Sequence, residues 1–150
     1  MSSVLQISDA ASLALHSTVY LACHEGDAIS TGQMAEDFGA SKAHLSKVLQ
    51  RLSRSGLVTS VRGPKGGFVL AKSPDEVTLR EVYEAIEGEL ETVDCLLGEP
   101  VCANGECMLG GLLSSLNAQV REKFSNTYLS DLVGTFAHVG AGANSESDEG

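Results

Sequence analysis

Apolar positions recur at two different periods along this chain, and the switch between them marks its elements. From residue 8 to residue 24, alanine, leucine and valine cover most of the circumference of a predicted helix, which implies burial on more than one side. Its polar positions, Asp9, Ser12, His16 and Tyr20, form a single stripe at helical spacing. The Glu25-Gly26-Asp27 turn ends it. Ser30-Thr31-Gly32-Gln33 has the form of a capping box, and Met34, Ala35 and Phe38 follow at helical intervals up to Gly39. Ser41 opens the next helix, in which Leu45, Val48, Leu49 and Leu52 fall at i, i+3, i+4 and i+7. Two short helices joined through residues 38–41 predict a helix-turn-helix.

After Gly56 the helical period is lost. Leu57-Val58-Thr59-Ser60-Val61 and Phe68-Val69-Leu70 read as two strands around the turn Arg62-Gly63-Pro64-Lys65-Gly66-Gly67. A hairpin directly behind a helix-turn-helix predicts a winged helix. Its glycines would let the backbone approach a phosphate or a minor groove. Thr78-Leu79-Arg80-Glu81 is a second capping box, and its helix runs to Gly88 with Leu79, Val82 and Ile86 inward.

From Met108 a leucine stripe, Leu109, Leu112, Leu113 and Leu116, continues through Val120 to Phe124. Such an amphipathic helix on so small a domain needs a partner for its apolar face, and a second copy is the simplest one, giving a homodimer. Residues 128–133 predict a last short helical turn. The small and acidic residues beyond Gly140 predict a disordered tail. The fold class is therefore mainly α with a small β-hairpin, a winged helix-turn-helix domain plus a long dimerisation helix. Residues 1–90 form the DNA-binding body, 91–107 a cysteine loop, 108–138 the dimerisation helix with its short successor, and 139–150 the tail.

Charge adds a partner to this picture. The chain has a formal net charge of −10, yet residues 38–74 contain no Asp or Glu. Seven of the ten basic residues fall there: Lys42, Lys47, Arg51, Arg54, Arg62, Lys65 and Lys72. A cationic block on an anionic protein implies one local surface for a polyanion, and double-stranded DNA is the first candidate. The next stretch, 75–107, holds ten acids and a single base, so it is no DNA surface.

Cys95, Cys102 and Cys107 follow a C-x6-C-x4-C pattern in a loop bent by Gly98, Pro100, Asn104 and Gly105. Three thiolates converging from one flexible loop suit an iron–sulfur cluster. Zinc is less well served, because structural zinc sites show a close cysteine pair and four clear ligands. The third alternative is three unmodified thiols. Cys23, late in the apolar first helix, reads as a small hydrophobe. No basic leader and no membrane-length apolar run is present, which points to a cytoplasmic protein. Nor is there a phosphate-binding glycine loop ahead of a helix, a nucleophile elbow or a paired acid–base constellation, so an enzyme is not expected.

Three stretches together carry a family likeness: the helix-turn-helix with its Leu57-to-Phe68 wing, the Thr78-Leu79-Arg80-Glu81-Val82 helix, and the three-cysteine loop. Over residues 5–133 the chain resembles the Rrf2 family of bacterial winged-helix transcriptional regulators. The resemblance implies a homodimer, with a long helix after the cysteines at the dimer interface and a 2Fe–2S or 4Fe–4S cluster on Cys95, Cys102 and Cys107. Cluster state would control the binding of a repressor to a roughly palindromic operator, whose half-sites lie about 34 Å apart. Ser41, Ala43, His44 and Lys47 would face the major groove, with Lys42 and Arg51 on the same helix. Arg62 with Lys65, Gly66 and Gly67 would lie at the minor groove. One departure concerns the fourth ligand. IscR-type members have a histidine three residues after the last cysteine, where this chain has Gly110. NsrR-type members take an acidic ligand from the partner's first helix, where this chain has Ser12. One turn later stands His16, so His16 of the partner subunit is the candidate ligand. Its alternative is a histidine packed at the dimer interface.

Overall fold

The computed structural model describes residues 7–91, 95–97, 99, 101, 102 and 107–136. Helix α1 (Asp9–Cys23) is the central post. Ser8 caps it by accepting the Ala11 amide at 3.1 Å, and the Ser8 hydroxyl also reaches Glu87. Ala11, Ala14 and the whole run from Ser17 to Ala22 are buried, as the broad apolar circumference predicts. Small side chains on α1 let α3 (Lys42–Arg54) and α4 (Leu79–Glu87) pack against it from different sides.

Helix α2 (Thr31–Phe38) and α3 form the helix-turn-helix. Ser30 and Ser41 cap them, accepting the amides of Gln33 and His44, and Gly39 takes the left-handed conformation between them at φ 62°. Leu45, Val48, Leu49 and Leu52 of α3 are all buried. The two expected capping boxes are each half made. The Gln33 side chain turns along α2 to Asp37 (3.1 Å) instead of back to Ser30, and Glu81 turns to Lys72 (2.6 Å) instead of back to Thr78. Each finds a charged partner, which is worth more than a neutral amide.

Strands β1 (Val58–Val61) and β2 (Gly67–Leu70) pair antiparallel, Val58 opposite Leu70 and Val61 opposite Gly67. Ile29 adds a third edge that the sequence pattern does not signal. It exchanges two backbone hydrogen bonds with Phe68, at 3.0 and 2.8 Å, and so ties the wing to the loop before α2.

Helix α5 (Leu112–Asn126) begins one turn later than the stripe from Met108 implies, because Gly110 (φ 60°) and Gly111 close a separate turn first. It leans on α4, with the Phe124 and Tyr83 rings 5.6 Å apart. After α5 the chain returns to the body: Leu79 donates to Thr127 and Leu129 donates to Val77, both at 3.0 Å. The short 3-10 helix Leu129–Leu132 stands where the last helical turn is expected, yet Leu129 is fully buried. This segment thus packs Leu129 into the core. The expected tail, 139–150, lies outside the described residues.

Candidate nucleic-acid interface and cysteine segment

The outward face of α3 carries the cationic block. Ser41, Lys42, Ala43 and Lys47 are exposed, and His44 is half-buried. Lys42, Lys47, Arg54, Arg62 and Lys65 are exposed and make no ion pair among the described residues. Two members of the block are engaged elsewhere. Arg51 donates to the carbonyl of Ile86, near the C-terminus of α4, where the helix dipole favours a cation. Lys72 pairs with Glu81, whose hydrogen bond and charge raise its pKa. Arg51, expected on the DNA-binding surface, thus fastens α3 to α4.

At the wing tip Gly63 sits at φ 116°, and the Gly66 amide closes the turn on the Gly63 carbonyl at 2.9 Å. A Cβ on Gly66 would lie 2.3 Å from the Val61 carbonyl oxygen, and one on Gly67 only 2.2 Å from that of Ile29. These two glycines are required by the protein's own backbone, a reason distinct from the open approach to phosphate expected of them. Arg62 and Lys65 project beside them, both exposed.

Cys95, Cys102 and Cys107 are unpaired thiols, each half-buried. The bend residues Gly98, Pro100, Asn104 and Gly105 lie outside the described residues. Thiolates suit iron by donor chemistry, and the Leu109 amide donates to Cys107 Sγ at 3.4 Å, the kind of bond that steadies a ligating sulfur. Among the described residues, however, no three His, Cys, Asp or Glu side chains are gathered as a metal ion needs. Cys23, half-buried, donates to the Val133 carbonyl at 2.8 Å and so helps hold the C-terminal segment, more than a plain hydrophobe would. His16 stands exposed on α1, its Nδ1 bonded to the Ser12 carbonyl at 2.7 Å, which directs Nε2 away from the helix. Its ring lies edge-on to Phe38 and Phe136, beside an apolar cleft of about 290 Å³ shared with Leu15, Val19, Leu79 and Leu132.

Residues 7–135 match the Rrf2 family, described as iron-dependent transcriptional regulators. The chain belongs to the Rrf2 family. It is 32% identical over 132 residues to the HTH-type transcriptional regulator NsrR of Shouchella clausii, covering 86% of this chain and 89% of that one. It is 33% identical over 122 residues to the HTH-type transcriptional regulator IscR of Erwinia tasmaniensis, covering 81% and 69%. Among solved structures, CymR of B. subtilis, the global cysteine regulator, superposes with a TM-score of 0.73 at 28% identity over 87% of this chain and 98% of that one. The winged-helix fold, a role in transcription regulation rather than catalysis, and DNA binding as the family's activity follow from this membership.

Within this Rrf2 chain the predicted dimer stripe divides in two. Leu113 is only 2% exposed, and Val120 and Phe124 pack against the core, so these three serve the chain's own body. Leu109 is half-buried, while Leu112 and Leu116 face outward together with Met108. Sequence reasoning also misses a polar junction at the foot of the cysteine segment. Glu84 Oε1 accepts from Arg80 Nε at 2.8 Å and from the Leu90 amide at 3.0 Å, and Arg80 reaches Ser125 of α5 at 3.4 Å. Burial alone would raise the Glu84 pKa. The hydrogen bonds from Arg80 and Leu90, with the Arg80 charge, outweigh it and hold the carboxyl below its ordinary range. The i,i+4 spacing of Arg80 and Glu84 is legible in the sequence; the bonds to Leu90 and Ser125 are not. No helix among the described residues is long and apolar enough to cross a membrane.

Proposed function

We propose that the protein is a homodimeric transcriptional regulator that reads duplex DNA with α3 and the wing, under the control of an iron–sulfur cluster. Ser41, Ala43, His44 and Lys47 would meet base edges or phosphates of the major groove, while Arg62 and Lys65 reach the minor groove. Cys95, Cys102 and Cys107 would hold the cluster, with His16 of the partner subunit completing it, since imidazole replaces cysteine on iron in known centres. When bound, the cluster supplies a redox-active, gas-sensitive group. The chain's own residues do the rest. Glu84 fixes where the segment leaves α4, and Arg80 links that point to α5. Two copies meeting over Leu112, Leu116 and Met108 would cover the apolar surface that one copy exposes.

The observation that carries this reading is the set of three unpaired cysteines between α4 and α5 in a chain of an iron-dependent family. A second reading, regulation by bare thiols, has its own support. The cysteines are not gathered for a metal among the described residues, and a relative, CymR of Staphylococcus aureus (28% identical, TM-score 0.69, covering 86% of this chain and 96% of that one), has been solved in an oxidized form. Anaerobic purification with iron and acid-labile sulfide analysis, visible absorption and native mass spectrometry separates the two. The proposal expects a coloured dimer carrying iron and sulfide. A colourless protein, with zinc or with no metal, overturns the cluster.

A further inference from the structure

The chain is poor in aromatic residues, with three Tyr, four Phe and no Trp. Three of those seven rings nevertheless converge with two histidines on one face of α1. Tyr20 stacks on His24 at 4.4 Å and meets the edge of Phe38 at 5.4 Å and the tilted ring of Phe136 at 5.8 Å. His16, one turn before Tyr20, shares the same two phenylalanines at 6.3 and 6.1 Å. Phe38 is the last residue of α2, and Phe136 belongs to the returning C-terminal segment. Edge-to-face contacts of this kind are directional, so a shift of one ring is felt by its neighbours.

A polar pin fixes the cluster to the helix-turn-helix. The Tyr20 hydroxyl donates to Asp37 Oδ2 at 2.5 Å, and Gln33 Nε2 holds the other carboxylate oxygen at 3.1 Å. Burial, then the bond to Asp37, push the Tyr20 pKa up to about 12, so the phenol remains a donor throughout the neutral range. A hydrogen bond to an ionised acceptor is stronger than a neutral one and fixes direction as well as distance. Asp37 is thus clamped from both sides, one residue before the turn that leads into α3.

We propose that Tyr20 and Asp37 are a positioning pair that sets the angle of the helix-turn-helix on α1, and that the pair couples His16 to DNA binding through Phe38. The coupling half rests on the reading above, in which His16 is engaged by the partner's cysteine loop; the positioning half does not. Tyr20 touches no DNA in this account. It acts through α2 on the presentation of α3.

The test uses the full chain and a duplex enriched by the wild-type protein from a random-sequence pool, at one salt concentration. In the iron-free state Tyr20→Phe and Asp37→Ala should each bind about tenfold more weakly than wild type, the loss of one charge-assisted hydrogen bond. Asp37→Asn still accepts the hydroxyl and should stay within about twofold. The double variant should be no weaker than Asp37→Ala, because that single change already removes the Tyr20 contact. Melting temperatures of every variant are measured alongside. Lower melting temperatures with wild-type affinity in Tyr20→Phe and Asp37→Ala would make the contact merely structural and overturn the proposal. After iron reconstitution, the ratio of bound-state to iron-free affinity should move toward one in Tyr20→Phe while its iron content matches wild type; an unchanged ratio overturns the coupling. A wild-type protein that takes up no iron overturns the cluster reading and the coupling with it, and the iron-free comparison then decides the positioning pair alone.

Discussion

Between residues 41 and 70, Leu45, Val48, Leu49, Leu52, Leu57 and Val58 are buried, and Val61 is the one exposed large hydrophobe. Among the described residues between 95 and 116 the balance reverses. Leu96, Leu97, Val101, Met108, Leu112 and Leu116 are exposed, Val101 at 73% and Met108 at 84%, and Leu113 alone is buried. The two regions differ in what satisfies their apolar residues. The helix-turn-helix and wing are closed by caps, by a packed helix face and by the Ile29 bridge within one chain. The cysteine segment and the start of α5 present an apolar surface that the chain itself does not cover. Exposed apolar residues of this kind mark an apolar interaction surface, which the reading region lacks.

Truncating one leucine in each region should have the largest and most different effects. Leu49→Ala should cost about 2–5 kcal/mol of stability through the cavity it leaves, read by thermal or urea denaturation. Leu116→Ala should leave the melt of the isolated chain nearly unchanged and instead raise the dimer dissociation constant in sedimentation equilibrium. Equal destabilisation by both would erase the distinction. Gly67→Ala should rank next, at about 1–3 kcal/mol, because the new methyl group meets the Ile29 carbonyl and must unseat the wing. Its loss should appear both in stability and in DNA affinity.

Arg62→Ala sharpens the comparison from the other side, since it leaves packing alone. It should weaken binding to the selected duplex about tenfold and reduce the salt slope by about one, with the melting temperature unchanged. The smallest effect concerns pH. Glu84 has a folded pKa below its ordinary 4.5, so its contribution is present above that value and lost as pH falls through the folded pKa. In Glu84→Gln that contribution is missing, so stability near neutrality should fall modestly while stability in acid stays nearly unchanged, and the acid limb of the curve should be flatter. Hydrogen exchange at the Leu90 amide should rise in the same variant.

The reading region was also the more legible of the two in the sequence, for a physical reason. Ser30, Ser41 and Thr78 cap helices within three residues of themselves, and the leucines of α3 declare their face by period alone, so local chemistry suffices. Contacts between distant segments left no such mark. The Ile29 bridge to Phe68, the bond from Arg51 to Ile86 and the Tyr20–Asp37 pin depend on how finished elements pack. In α5 the period shows that a stripe exists without showing that Leu113 is buried and Val120 and Phe124 pack on the chain's own core while Leu112 and Leu116 stay exposed. The cysteine pattern announced a sulfur-rich site and its spacing, but the gathering of ligands is not a property of spacing.

The proposed division gives binding to α3 and the wing, and control to the cysteine segment. Its most direct test is the affinity of iron-reconstituted and iron-free protein for one selected duplex at one salt concentration, with a Cys95→Ala, Cys102→Ala, Cys107→Ala variant beside them. Affinities at least about tenfold apart are expected for the two wild-type states, the range of ordinary allosteric coupling, with the variant binding like the iron-free form under both conditions. Equal affinities for the two wild-type states would contradict this division, leaving a DNA-binding protein whose cysteines do not control it.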